Sequence, residues 1–150
     1  MYEAFYKFRE KPFHVTADPA FLYPSKHHQE AMAHLTYGIR ERLGFLMITG
    51  EVGTGKTTLA KALVEKLPSP SKTALILHPT LSGVQLLQNI LRDFGLAARR
   101  SSRAELLQAI EKFLIEEAAS GGAVVLIIDE AQALATATLE QIRLLSNVET

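Results

Sequence analysis

Two kinds of apolar spacing alternate along this chain: stripes recurring at three- and four-residue intervals, and short unbroken runs. The stripes predict helices, and the runs predict buried strands of a parallel sheet. The first stripe, Met32, Leu35, Ile39 and Leu43, follows Ser25 and stops at Gly44, which predicts a helix from a Ser25 cap to Arg42. Gly44-Phe45-Leu46-Met47-Ile48-Thr49 then reads as a first buried strand. Leu59, Leu63 and Leu67 mark a second helix over 57–67, ended by Pro68-Ser69-Pro70-Ser71, and 73–77 reads as a second strand. Ser82 caps a helix carrying Val84, Leu87, Ile90, Leu91 and Phe94 that ends at Gly95. Ser102-Arg103-Ala104-Glu105 opens another as a capping box, with Leu106, Ile110, Phe113 and Leu114 as its inner stripe. After Gly121-Gly122 the residues 123–128 form a fully apolar third strand, and Thr138-Leu139-Glu140-Gln141 opens a last helix through Leu145 and Val148. Helices alternating with three strands give an α/β class, a parallel sheet flanked by helices. Residues 1–24 hold aromatics and three prolines without a sustained period, and read as an irregular arm packed on a domain formed by 25–150.

Composition narrows the picture in a few respects. A chain of 150 residues, 47% of them hydrophobic, can build one core. Sixteen basic and sixteen acidic residues cancel, so no global field draws the chain to nucleic acid or membrane. With no cysteine, disulfides and zinc–thiolate sites are excluded. The five histidines show no metal-ligand spacing, and His27-His28 reads as a solvated helix start. The N-terminus lacks the basic region and apolar core of a secretory leader. Residues 73–91 carry no formal charge, but His78, Pro79, Ser82, Gln85, Gln88 and Asn89 make them a poor bilayer span. A cytoplasmic location is the resulting expectation.

The chemistry is concentrated at two places. Gly50-Glu51-Val52-Gly53-Thr54-Gly55-Lys56-Thr57 fits the pattern G-x-x-x-x-G-K-[ST] at every specified position, between an apolar run and a helical stripe. Glycines let the backbone take positive φ and come within hydrogen-bond distance of phosphate oxygens. The helix that follows would aim its positive dipole end at the same anion. Lys56 supplies a charge for the β- and γ-phosphates, and Thr57 a hydroxyl for magnesium, so a nucleoside triphosphate is the expected ligand. The apolar run at 123–128 ends abruptly in Asp129 and Glu130 and resembles a Walker B strand. Ligands of open α/β sheets bind outside the carboxyl ends of the strands, which puts these acids at the same crevice as the glycine loop. Asp129 would hold magnesium, through a water, and Glu130 would orient or deprotonate the attacking water.

With these landmarks the chain resembles the AAA+ ATPase domain of the general secretion pathway protein A family, and more distantly transposition helper ATPases. The resemblance lies in 5–13, 17–23, Gly38-Ile39, 42–45, Gly50 to Thr58, 128–132 and 144–150, essentially the whole chain. It implies a P-loop NTPase of the AAA+ type that binds ATP with Mg2+ through Gly50, Glu51, Val52, Gly53, Thr54, Gly55, Lys56, Thr57 and Thr58. Thr57 and Asp129 would be the metal ligands and Glu130 the catalytic residue. Domains of that family continue past the segment at 144–150 into a fourth strand with a polar sensor, a fifth strand, an arginine finger and a helical lid. In their sheet order, 5-1-4-3-2, the fourth strand lies between the first and third. The resemblance therefore implies a domain incomplete at its C-terminus, with three of five core strands, whose first and third strands leave a gap, pair directly or exchange with another copy. Arg143, on the last helix, reads as a surface residue rather than a substitute finger. The implied function is Mg2+-dependent ATP hydrolysis coupled to conformational change on partners, either a homo-oligomer or a secretion-machinery protein. Two alternatives stand beside it. One is a truncated, non-catalytic nucleotide-binding or interaction module, since an arginine finger can be worth on the order of 10³ to 10⁵ in rate. The other is a DNA-binding helper ATPase, motivated by Arg99, Arg100 and Arg103. By analogy with the family, Phe13, His14 and Tyr23 border the adenine; core packing is the competing reading.

Overall fold

The computed structural model describes residues 2–11, 16–68, 71–77, 79, 82–98 and 101–147. The arm is less irregular than its sequence suggests. It contains helix α1 (Tyr2–Tyr6), a stretch too short to show a period, and a 3-10 turn at Pro19–Phe21 capped by the Asp18 carboxylate, which accepts from the Ala20 N–H at 2.9 Å. Helix α2 (Lys26–Arg40) starts at the expected Ser25 cap and stops two residues before Arg42. There Arg42 turns left-handed, with φ 52°, and its Nη2 donates to the carbonyls of Gly121 and Gly122 at 3.3 and 3.1 Å. Helix α3 (Lys56–Lys66) buries Leu59, Ala62 and Leu63.

Strand β1 (Ser71–Ile76) and strand β2 (Ala123–Ile128) pair in parallel, from Ser71 opposite Ala123 to Ile76 opposite Ile128. Between them run helix α4 (Gly83–Asp93) and helix α5 (Arg103–Ala119), each opened by a reciprocal capping box, Ser82 with Gln85 and Ser102 with Glu105. A 3-10 turn (Ala131–Ala133) and helix α6 (Thr136–Leu145) follow β2. Helix α6 begins two residues before Thr138, with Ala135 at its N-cap and no side-chain cap; Val148 lies outside the described residues.

Helix α4 packs on β1, α5 on β2, and the two helices on each other. Ala74 and Ile76 of β1 share one core with Leu86, Leu87, Ile90 and Leu91, with Leu106, Ile110, Phe113 and Leu114, and with Ile142 and Leu145 of α6. The α4 and α5 stripes read from the sequence thus face the sheet. Phe94 stacks on Phe113 with ring centroids 4.9 Å apart. On the outer edge of β1 the Asp93 carboxylate of α4 accepts from the Leu75 N–H at 3.0 Å, which takes up one donor that would otherwise template another strand.

The expected first strand is a correction. Residues 44–49 adopt no strand, and the sheet among the described residues has two members. Of the three arrangements the resemblance left open, direct pairing of 44–49 with β2 does not occur. An apolar run becomes a strand only when a neighbour takes up its N–H and C=O groups. Here Leu46 lies against α2, so close to Gly38 that a Cβ there would sit 2.4 Å from a Leu46 methyl. Met47 is 86% exposed and Phe45 57%. Strand β2, read as a fully apolar buried strand, is half-buried throughout, with β1 pairing along one of its edges.

Candidate functional site

The glycine loop enters α3 through two residues in the left-handed region, Gly53 at φ 80° and Gly55 at φ 84°, conformations a Cβ makes costly. Gly55 is the N-cap of α3, and its carbonyl accepts the N–H of Leu59 at 2.8 Å. With no side chain at that cap, the N–H groups of the first turn have no side-chain partner there. The loop is braced from inside. Thr54 Oγ1 donates to the Glu51 carbonyl at 2.8 Å, and Lys56 Nζ donates to the carbonyls of Gly50 and Glu51 at 2.8 and 2.7 Å. An ammonium has three donors, so one remains to meet an anion.

Across the crevice, β2 delivers Asp129, whose N–H continues the ladder to the Ile76 carbonyl at 2.8 Å. The Thr57 hydroxyl donates to Asp129 Oδ2, joining the start of α3 to the end of β2. Glu130 is left-handed, with φ 53°, a conformation that costs a non-glycine residue about 1–3 kcal/mol and is found preferentially at functional sites. Its N–H donates to Asp129 Oδ1 at 3.0 Å, and Gln132 Nε2 donates to its carboxylate.

The donor set suits magnesium. A hydroxyl and one carboxylate are hard oxygen ligands, and Mg2+ is commonly held by one or two carboxylates with substrate phosphates and water. Among the described residues no group of three or more His, Cys, Asp or Glu offers a self-sufficient metal cage.

Of the remaining expectations, Tyr23 is 84% exposed and lines a cleft of about 430 Å³ between arm and loop, with Asp18, Phe21, Gly53, Thr54 and Thr58. Phe13 and His14 lie outside the described residues, as do Arg99 and Arg100. Arg103 Nε donates to Gln141 Oε1 at 3.0 Å. Arg143 forms a two-pronged pair with Glu140 at 2.9 and 2.7 Å; that contact raises the guanidinium pKa and lowers the carboxylate's, in keeping with a surface residue. His28 is a second correction. His27 is solvated as read, but the His28 ring bridges Ser25 and the Thr54 carbonyl. The local half of this bridge, Ser25 with His28 three residues on, follows from the cap, but the Thr54 carbonyl lies 26 residues away and no local pattern marks it.

Residues 39–150 match the sequence profile described as AAA domain. The chain belongs to the AAA domain family. This AAA domain is therefore a P-loop NTPase and a nucleotide-binding protein by family. It is 42% identical to general secretion pathway protein A of Aeromonas hydrophila, in an alignment spanning all of this chain and 28% of that protein. No solved structure matches it. Among the described residues no helix is long and apolar enough to cross a membrane.

Proposed function

We propose that this AAA domain binds ATP with Mg2+ at the 50–58 loop and hydrolyses it, as the motor part of a secretion-type ATPase. The observation that carries this reading is the Thr57–Asp129 hydrogen bond, which brings a hydroxyl and a carboxylate from 72 positions apart to the mouth of a glycine loop. The loop N–H groups and the α3 N-terminus bind the β- and γ-phosphates, and Lys56 turns its ammonium to their charge. Thr57 and Asp129 hold the metal, which when bound neutralises charge developing on the transferred phosphoryl group. Glu130, one residue beyond, orients the attacking water and takes its proton. The secretion role rests on the similarity to general secretion pathway protein A. Because the chain spans 28% of that protein, coupling of hydrolysis to a homo-oligomer or a secretion-machinery partner, at a cytoplasmic location, is part of the proposal.

A nucleotide-binding module without turnover is the second reading, favoured by the bond from Gln132 that occupies the Glu130 carboxylate. Calorimetric titration with MgATP, beside a phosphate-release assay, tests both. A one-site isotherm weakened by about tenfold or more in Lys56→Ala, the scale of one charge-assisted hydrogen bond, is expected. Equal affinity in wild type and variant would overturn the site; binding without phosphate release would favour the second reading.

A further inference from the structure

His28 occupies the third position of α2, and its main-chain N–H donates to the Ser25 hydroxyl oxygen at 3.3 Å. Its ring reaches two elements at once: Nδ1 lies 2.7 Å from Ser25 Oγ, and Nε2 lies 2.8 Å from the carbonyl oxygen of Thr54. A carbonyl only accepts, so Nε2 carries the proton. The Ser25 oxygen already accepts from the main chain, which leaves its hydrogen free to donate to Nδ1. One neutral tautomer thus satisfies every group in the chain Ser25–His28–Thr54.

The same ring lies over Gly55, where an added Cβ would come 3.2 Å from Nε2 and 3.7 Å from a Leu22 methyl. A side chain at position 55 would crowd the ring, and the φ of +84° there favours glycine in any case. The Thr54 carbonyl and the Gly55 N–H belong to one planar trans peptide and point in opposite directions. Anchoring the oxygen on α2 accordingly aims the N–H away from α2. The Thr54 side chain, tied to the Glu51 carbonyl, and the Lys61 ammonium, tied to the Ala17 carbonyl at 2.7 Å, hold the flanking loop and arm in register with this contact.

We propose that His28 is a positioning residue for the glycine loop, a strut from α2 that sets the Thr54–Gly55 peptide plane so that the Gly55 N–H is presented to a bound phosphate. This rests on the reading of the loop as the phosphate site. His28 touches no reacting atom; it acts through a main-chain carbonyl, and no loop motif contains it.

The test is a set of three substitutions in the 150-residue chain. A glutamine at position 28 places an amide N–H where Nε2 was, an asparagine places one only where Nδ1 was, and an alanine removes both. In the protein without nucleotide, the Thr54 carbonyl ¹³C resonance should shift in His28→Asn and His28→Ala and return toward wild type in His28→Gln. Titrated with MgATP, the first two variants should bind about fivefold more weakly, the fold-change of one net hydrogen bond, and His28→Gln should recover wild-type affinity. Failure of the strut and failure of the loop reading are separable. If wild type binds MgATP in a Lys56-dependent way but all three variants bind like wild type, or asparagine and glutamine behave alike, the strut is wrong and the loop reading stands. If wild type binds no MgATP, the phosphate role of the strut falls with the loop reading. The carbonyl resonance then still decides whether the His28–Thr54 contact exists.

Discussion

The Thr57–Asp129 contact divides labour between adjacent acids. Asp129 reaches the first turn of α3, whereas the carboxylate of Glu130, whose backbone is left-handed, accepts from Gln132 on its own turn. Asp129→Ala should weaken Mg2+-dependent ATP binding. Glu130→Gln should leave binding largely intact while abolishing hydrolysis, because the amide keeps the shape and loses the base. Calorimetry with and without Mg2+, beside a phosphate-release assay, checks the pair; comparable loss of affinity in both variants would contradict the assignment. Both carboxylates were legible in the sequence because they end an apolar run. The His28 ring was not, because what makes it matter is a carbonyl 26 residues away.

Helix ends are where sequence and structure agree most closely. A cap is a local event: an oxygen three residues from an N–H either reaches it or does not. Ser82→Ala should lower stability by about 1 kcal/mol in urea unfolding, the typical loss for a serine cap. The α5 cap adds a pH dependence. The Glu105 carboxylate accepts from the Ser102 N–H at 2.6 Å and from its hydroxyl, and these bonds hold its pKa below the ordinary glutamate value. A lowered folded pKa means that the contribution is complete above the unfolded value of about 4.3 and disappears as pH falls through the folded one. The stability difference between wild type and Glu105→Gln should therefore shrink as urea midpoints are followed from neutral pH into acid; a difference independent of pH would contradict the capping bond. Helix α6 departs from this pattern. Its start at Ala135 lacks a side-chain cap, so nothing local marked it, and packing of Ile142 and Leu145 into the core decided its register.

At the scale of the molecule, stability is concentrated between the sheet and α4, α5 and α6. Leu86 is fully buried there, and Leu86→Ala should cost about 2–5 kcal/mol in chemical unfolding, the range for a leucine cavity. The opposite holds at 43–48, where Leu43, Phe45, Leu46, Met47 and Ile48 are all exposed, a contiguous apolar stretch of the kind that drives association. The 150-residue chain should sediment with a concentration-dependent coefficient that Phe45→Lys with Met47→Lys suppresses; a single monomeric species for wild type at all concentrations would contradict this. The glycine-loop pattern, the stripes of α3, α4 and α5, the caps at Ser25, Ser82 and Ser102, and the acids at the end of β2 were determined by the sequence alone. Each is set by residues within a turn or two of one another, where propensity, periodicity and short-range hydrogen bonding act directly. Tertiary structure decided the rest: that Thr57 meets Asp129, that His28 contacts Thr54, and that the apolar run at 44–49 pairs with no strand among the described residues. A strand needs a partner for its backbone, and a site needs groups from separate elements to converge. Both depend on how distant segments pack, which no local pattern encodes.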